Sequence, residues 1–336
     1  MKTILYIGNK LSQHGVSVTT IETLGPLLQN EGYGVYYSSS KKNIFFRMLD
    51  MLWSILRYRS SIDFVLIDTY STSSFWYALL TSQMARLFDI KYIPILHGGN
   101  LPDRLKNNPK LCSFIFSNAY YNVAPSHYLL HHFQLHGFGN TIFIPNSIEI
   151  ENYPFRNRKI TTPHLLWVRA FASNYNPTLA VDVLEKVKEI YPDATLTMIG
   201  PDKDGSLERT KKYALSKNLE VVFTGRLSKK KWIAYSEQCS LFINTTNFDN
   251  TPVSVMEAMA LGLPVVSTNV GGIPYLLEDN VDALLTHSND REAMALAVLR
   301  LVSNTPLRNT LVANAREKAQ NWDWEIVKLL WKEVLQ

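Results

Sequence analysis

Cysteine is almost absent. The 336 residues hold two, Cys112 and Cys239, at no paired spacing. Isolated thiols argue against a disulfide framework or a zinc ribbon and fit a reducing compartment. No uninterrupted apolar run approaches the length of a membrane span. The opening residues, M-K-T-I-L-Y-I-G-N-K, turn polar too soon for a secretory signal. Neither G-x-G-x-x-G nor a P-loop follows the first strand, so a nicotinamide or ATP site has no support. His132 and His136 stand at i, i+4 without the Glu or third ligand that zinc hydrolysis needs, and with His131 they read as surface side chains. Charged residues make up only 19% of the chain, with a net charge of +5. That excess is mild; it admits an anionic membrane surface or substrate and does not demand nucleic acid. There is no low-complexity segment and no internal repeat.

What is present is alternation. A length of 336 residues suggests about two domains, and a hydrophobic fraction of 46% is that of an ordinary globular chain. Residues 2–7, 63–67, 92–96 and 141–144 read as strands. Residues 18–30 and 126–135 read as helices. The stretch 151–163 is polar, basic and proline-marked, and reads as a linker. The pattern then restarts: strands at 164–168, 194–199, 221–224 and 241–244, a helix at 176–191, and an amphipathic helix at 322–335. Strands and helices joined by short loops mean parallel sheets. The expected fold class is α/β, with two doubly wound, Rossmann-like domains facing a cleft. Ligands of such sheets bind at the carboxyl ends of strands.

Residues 248–274 are the most informative stretch: F-D-N-T-P-V-S-V-M-E-A-M-A-L-G-L-P-V-V-S-T-N-V-G-G-I-P. Glu257 is the one charge between Thr251 and Asn269, and Asp249 precedes it by eight residues. Thr251 is suited to cap a helix, Pro252 to open it and Gly262 to end it. Residues 263–267 read as a buried strand. A helix start facing Asp249 is a natural phosphate site, since its free N–H groups and dipole favour anions. A Glu in so apolar a helix needs partners, either a ligand or a backbone N–H at the helix rim.

These residues resemble the donor-binding signature of the retaining family-4 glycosyltransferases, which have the two-Rossmann-domain GT-B fold. Glu257-Ala258-Met259-Ala260, Gly262-Leu263-Pro264-Val265-Val266 and Gly271-Gly272-Ile273-Pro274 match it. The signature's first Glu is Asp249 here, one methylene shorter. The resemblance implies an acceptor-side domain over 1–155, a nucleotide-sugar domain over 161–319, and a C-terminal helix, 320–336, packed back on the first. It implies that Glu257 bonds the ribose and Asp249 the donor sugar. Backbone N–H groups at Val253 and Ser254, beside Thr251, would face the β-phosphate or sugar. Arg169 would balance charge on the leaving diphosphate. His97, in H-G-G after the fourth strand, would touch the transferred sugar. Gly15, in the loop after the first strand, would let that loop approach donor and acceptor. Arg226 would pack against the base.

The family's Gly-Arg pair is displaced by one position here, and its following Lys is missing. Lys203 is a substitute cation or a solvated surface side chain. Asp202 and Asp204 around it have the spacing of a metal site, but P-D-K-D-G is also an ordinary turn, and no metal is expected. The implied activity is metal-independent hexosyl transfer from a nucleotide-diphosphate-sugar to a glycan or lipid-linked acceptor, in cell-surface polysaccharide or glycolipid synthesis. No cofactor beyond that co-substrate is implied. The expected location is cytoplasmic, or peripheral on the inner membrane face. A nucleotide-sugar epimerase of the same fold and a non-catalytic sugar-nucleotide-binding subunit are the alternatives. Residues 41–59 mix five Lys and Arg with large apolar side chains and a single Asp. They read either as a domain helix with an apolar core side or as a segment that lies on an anionic membrane.

Overall fold

The computed structural model describes residues 2–14 and 18–336; Gly15 lies outside them. The chain forms two compact units, Met1–Pro145 with Val327–Gln336, and Asn146–Ile326.

The first unit holds a six-stranded parallel sheet of order β2-β1-β3-β4-β5-β6. Its strands are β1 (Thr3–Ile7), β2 (Gly34–Ser38), β3 (Phe64–Thr69), β4 (Lys91–Leu96), β5 (Asn122–Ala124) and β6 (Thr141–Phe143). Six helices connect or cover them: α1 (Thr20–Asn30), α2 (Ile44–Tyr58), α3 (Phe75–Leu87), α4 (Leu101–Asn107), α5 (Pro109–Phe116) and α6 (His127–Leu135). Every residue of β3 is buried, as a strand covered on both faces requires. The helix expected from residue 18 starts at Thr20, where the Glu22 carboxylate accepts the Thr19 N–H at 3.3 Å.

The second unit repeats the plan in the order β12-β11-β10-β7-β8-β9. Its strands are β7 (His164–Val168), β8 (Thr195–Ile199), β9 (Val222–Gly225), β10 (Leu241–Asn244), β11 (Val265–Thr268) and β12 (Leu284–Thr286). The helices are α7 (Pro177–Lys188), α8 (Ser206–Ser216), α9 (Lys229–Ser236), α10 (Val253–Ala260), α11 (Ile273–Leu276), α12 (Arg291–Ser303) and α13 (Thr305–Gln320). In both sheets the chain first builds outward on one side and then returns to the other. The reversal falls between β1 and β3 in the first unit and between β7 and β10 in the second. Ligands of open α/β sheets bind at such switch points.

The expected linker is not one. Tyr153 is buried in the second unit, and Arg158 donates to the carbonyls of Cys239 at 3.0 Å and Leu261 at 2.7 Å. Residues 146–163 therefore belong to that unit, because an aromatic ring and a guanidinium in a polar stretch tie it down. A last helix, α14 (Trp324–Val334), carries the chain back to the first unit, where Lys328 and Lys332 reach Glu31 at 3.2 and 2.7 Å.

Candidate functional site

The second unit gathers a polar cluster at its switch point. Arg169 follows β7 and Asp249 follows β10, and the two form an ion pair with both side chains largely buried. Asp249 also accepts the N–H of Asn250 at 2.9 Å. The Arg169 guanidinium lies 4.2 Å from the centroid of the Tyr175 ring. That guanidinium pulls the Tyr175 phenol below its usual range, while burial lowers Arg169 itself. Close backbone approaches hold this geometry. A Cβ on Gly200 would sit 1.7 Å from the Arg169 carbonyl oxygen, and one on Gly272 2.0 Å from that of Asn250. The Gly272 N–H instead donates to the Asp249 carbonyl at 2.8 Å. The Gly-Gly pair after β11 is thus what lets the loop bearing Asp249 pack directly against the turn after β11.

Helix α10 begins at this loop. Its cap residue is Pro252 and its first residue Val253, so Thr251 is not the cap that the sequence suggested, and Pro252 is not the first helical residue. Pro252 itself has extended backbone and takes the cap position, one residue later than the sequence suggested. Among the described residues no side chain caps α10. The hydroxyls of Thr251 and Ser254 and the Arg169 Nε are buried with no hydrogen-bond partner among the described residues. Buried polar atoms in proteins are nearly always paired. Two unpaired hydroxyls at an uncapped helix start, with a guanidinium whose Nε is also unpaired, have the chemistry of an anion site.

Glu257 lies on the next turn of α10 and is buried. One of its oxygens accepts the Tyr153 hydroxyl at 2.7 Å and meets the Lys229 ammonium at 2.8 Å. The bland alternative of a backbone N–H partner does not hold; two side chains take that place. Burial and the Glu257 carboxylate push the Tyr153 phenol well up. Neither Tyr153 nor Lys229 carried any signal in the sequence. Tyr175, six residues after Arg169, was not singled out either.

Lys203 is exposed, but its charge reaches Tyr175, and its N–H donates to the Phe171 carbonyl at 2.9 Å. Asp202 and Asp204 are spent on backbone. Asp202 accepts from Gly205 at 3.1 Å and Leu207 at 3.2 Å, and Asp204 from Ser173 at 2.8 Å and Ser206 at 3.1 Å. Those bonds, the Ser173 N–H foremost, hold the Asp204 carboxyl well below the usual range. This is the turn. Among the described residues no group of three or more His, Cys, Asp or Glu is placed to hold a metal ion. Arg226 is exposed in the loop between β9 and α9.

The first unit has its own polar cluster at the carboxyl ends of β1, β3 and β4. His97 Nε2 lies 2.8 Å from Asp68 Oδ1, with Asp68 buried and His97 partly buried. The Tyr6 hydroxyl donates to the same oxygen at 3.1 Å, and Asp68 Oδ2 finds no partner among the described residues. A Cβ on Gly8 would sit 2.6 Å from that oxygen. Burial and Asp68 raise the phenols of Tyr6 and Tyr70. The structure therefore gives His97 a carboxylate partner that the sequence did not reveal.

The model of the family described as Glycosyl transferases group 1 matches residues 149–318. An uncharacterized glycosyltransferase of Methanocaldococcus jannaschii is 28% identical over 158 residues, 46% of this chain and 44% of that protein. A phosphatidyl-myo-inositol mannosyltransferase of Mycobacterium leprae is 23% identical over 206 residues, 59% of this chain and 54% of that protein. The chain spans about half the length of these curated relatives. Among solved structures, the sucrose-phosphate synthase of Thermosynechococcus elongatus aligns with a TM-score of 0.81 over 99% of this chain and 98% of that one, at 16% identity. Anabaena HepE, in complex with UDP and glucose, aligns with a TM-score of 0.80 over 100% of this chain and 99% of that one, also at 16% identity. The shared fold is GT-B.

Proposed function

The chain belongs to the group 1 glycosyl transferases, and on that premise we propose that it moves a hexosyl unit from a nucleotide-diphosphate-sugar to a glycan or lipid-linked acceptor, with retention of configuration and without a metal. The observation that carries this reading is the uncapped start of α10 with the unpaired hydroxyls of Thr251 and Ser254, next to Arg169. In the reaction the bond from the sugar to the diphosphate breaks and its electrons pass to a phosphate oxygen. The Val253 and Ser254 N–H groups, the helix dipole and the Arg169 guanidinium stabilise that charge. The bond to the acceptor hydroxyl forms, and its proton leaves with the diphosphate or to solvent. Asp249 holds Arg169 in place and keeps lone pairs for a sugar hydroxyl. Glu257 takes the ribose hydroxyls, Arg226 the base side, and Lys203 adds a cation from the loop after β8. His97, backed by Asp68, is read as a contact to a sugar hydroxyl, and the part given to Gly15 rests on the resemblance alone.

Nearby nucleotide-sugar chemistry supports the choice of donor: HepE is described in complex with UDP and with UDP-glucose. Polysaccharide or glycolipid synthesis is the setting that an acceptor of this class implies, at the inner face of a membrane. The two acids do not suit glycoside hydrolysis, because Asp249 is neutralised by Arg169 and Glu257 by Lys229. The test is a nucleotide-sugar screen by thermal shift, followed by turnover with and without acceptor in excess chelator. One donor should stabilise the protein, and turnover should need acceptor and survive the chelator. Turnover of donor to its epimer without acceptor would replace transfer with epimerisation. Binding without turnover would leave a binding subunit. Loss of turnover in chelator, restored by Mn²⁺, would overturn the metal-independent mechanism.

A further inference from the structure

Helix α2 is apolar on two faces, and only one of them is covered. Its buried residues are Arg47, Met51, Ser54 and Ile55. Arg47 donates from Nε to the Tyr77 hydroxyl at 3.3 Å, and the Ser54 hydroxyl reaches that of Ser38 at 3.0 Å. The large apolar side chains face solvent: Ile44, Phe45, Phe46, Leu49 and Trp53 are between 47% and 63% exposed. Spacings of three and four residues place Phe46, Leu49 and Trp53 on one stripe. Trp76 and Leu80 of α3, the helix packed against α2, are exposed as well. An amphipathic helix is expected to turn its apolar face to the core. Here Met51 and Ile55 fill that role, Arg47 is buried against Tyr77 of α3, and a second apolar face, the one with the aromatics, is left outside.

Cations bracket the stripe. Lys41 and Lys42 precede it, Arg57 and Arg59 follow it, and all four are exposed. Asp50 is the single acid between residues 41 and 59. Lys41, Lys42, Phe46, Leu49 and Trp53, together with Asn43 and Asp50, line an open hollow of about 510 Å³, so two cations face one acid there. The helix is too short to span a bilayer, and no helix of the described residues is long and apolar enough to do so. Aromatics and aliphatics that enter the headgroup boundary, flanked by cations that meet anionic phosphates, are the pattern of a helix lying in a membrane interface.

We propose that the exposed face of α2 is the docking surface of this protein for an anionic lipid bilayer. Phe45, Phe46, Leu49 and Trp53 insert, and Lys41, Lys42, Arg57 and Arg59 contact lipid phosphates. Attachment is reversible, because one short helix face supplies the apolar contact and screened charges supply the rest. The proposal rests on the transferase reading in one respect: the surface then presents the enzyme to a lipid-linked acceptor.

The experiment is vesicle sedimentation of the full chain. Neutral phosphatidylcholine vesicles are compared with vesicles of about 30 mol% phosphatidylglycerol. The wild type is expected to bind the anionic vesicles about tenfold more strongly than the neutral ones, and to lose that preference in about 0.5 M salt. Phe45→Ser with Phe46→Ser and Trp53→Ser should lose about tenfold in binding at any salt. Lys41→Ser with Lys42→Ser, Arg57→Ser and Arg59→Ser should bind both vesicle types alike. Both variants should keep the wild-type circular dichroism melt and transfer to a water-soluble acceptor. A wild type that ignores anionic vesicles at low salt overturns the proposal. So does an aromatic variant that binds as the wild type does. A wild-type dimer converted to monomer by the aromatic substitutions overturns it too, since the face would then join two copies. Vesicle binding without any transfer would leave the surface standing and sink the transferase reading, and the reverse result would do the opposite.

Discussion

Replacing Glu257 by Gln separates a ligand-binding carboxylate from a structural one. The wild-type carboxylate is buried and shared between the Tyr153 hydroxyl at 2.7 Å and the Lys229 ammonium at 2.8 Å. Glutamine keeps an acceptor oxygen for Tyr153, so that bond survives in neutral form. The bond to Lys229 loses its charge, but the Lys229 side chain is 56% exposed and water can replace its partner. The screened pair contributes about 0–1 kcal/mol and the change of the Tyr153 bond from charged to neutral about 1 more, so the fold should lose about 1–2 kcal/mol. Ribose hydroxyls bonded to a carboxylate contribute about 1.5–3 kcal/mol each, against about 0.5–1.5 for a neutral acceptor. Losing about 1–2 kcal/mol should weaken nucleotide binding by about 5- to 30-fold. Tyr153→Phe should do the converse. It removes a buried donor to a charged acceptor, costs about 1.5–3 kcal/mol of stability, and leaves the ribose bonds in place. Isothermal titration with the donor nucleotide gives the affinities, and urea denaturation gives the stabilities. Unchanged affinity in Glu257→Gln together with a large loss of stability would refute the ribose role and make the acid a strut for residues 146–163.

Arg169→Lys keeps the charge but loses the planar fork stacked on Tyr175, and kcat should fall by about 10²- to 10³-fold in a donor-turnover assay. Gly272→Ala drives a Cβ to 2.0 Å from the Asn250 carbonyl oxygen. The loop bearing Asp249 must shift, at a cost of about 1–3 kcal/mol in denaturation and with loss of donor binding. Asp68→Ala leaves the Tyr6 hydroxyl and the His97 ring without their shared acceptor. Turnover should drop more than donor affinity, and a parallel loss of both would make Asp68 structural. Glu31→Gln tests the anchor of α14. Bonding to Lys332 holds the Glu31 carboxyl below its unfolded value of 4.5, so the pair contributes stability above that pH and loses it as pH falls through the lower folded value. The variant should therefore melt below the wild type at neutral pH, by up to about 1 kcal/mol, and the two melts should converge in acid.

Long, strongly patterned elements were legible. The strands around residues 2–7, 92–96, 164–168 and 241–244 stand where the apolar runs end in loops, because strands buried on both faces need continuous apolar sequence. β2, β5 and β12 were not marked. β5 and β12 are only three residues long, and β2 carries two tyrosines that are partly exposed. The motif at 248–274 placed Asp249, Ser254 and Glu257 around one helix start. What surrounds them was not legible, since Tyr153 is 104 residues from Glu257 in sequence, and Asp68 is 29 from His97.

Sequence by itself determined the alternation of strand and helix, the restart after residue 163 and the helix that carries Glu257. Each follows from periodicity and from Gly and Pro, which act over a few residues. Tertiary structure alone decided which buried charge meets which. It put Arg169 on Asp249, Tyr153 and Lys229 on Glu257, and Asp68 on His97. It also turned α2 so that Arg47 faces the protein and Phe45, Phe46 and Trp53 face outward. An amphipathic pattern says that a helix has two faces. Which one the protein covers depends on the sheet and the neighbouring helix that receive it, and those are assembled from segments far apart in the chain.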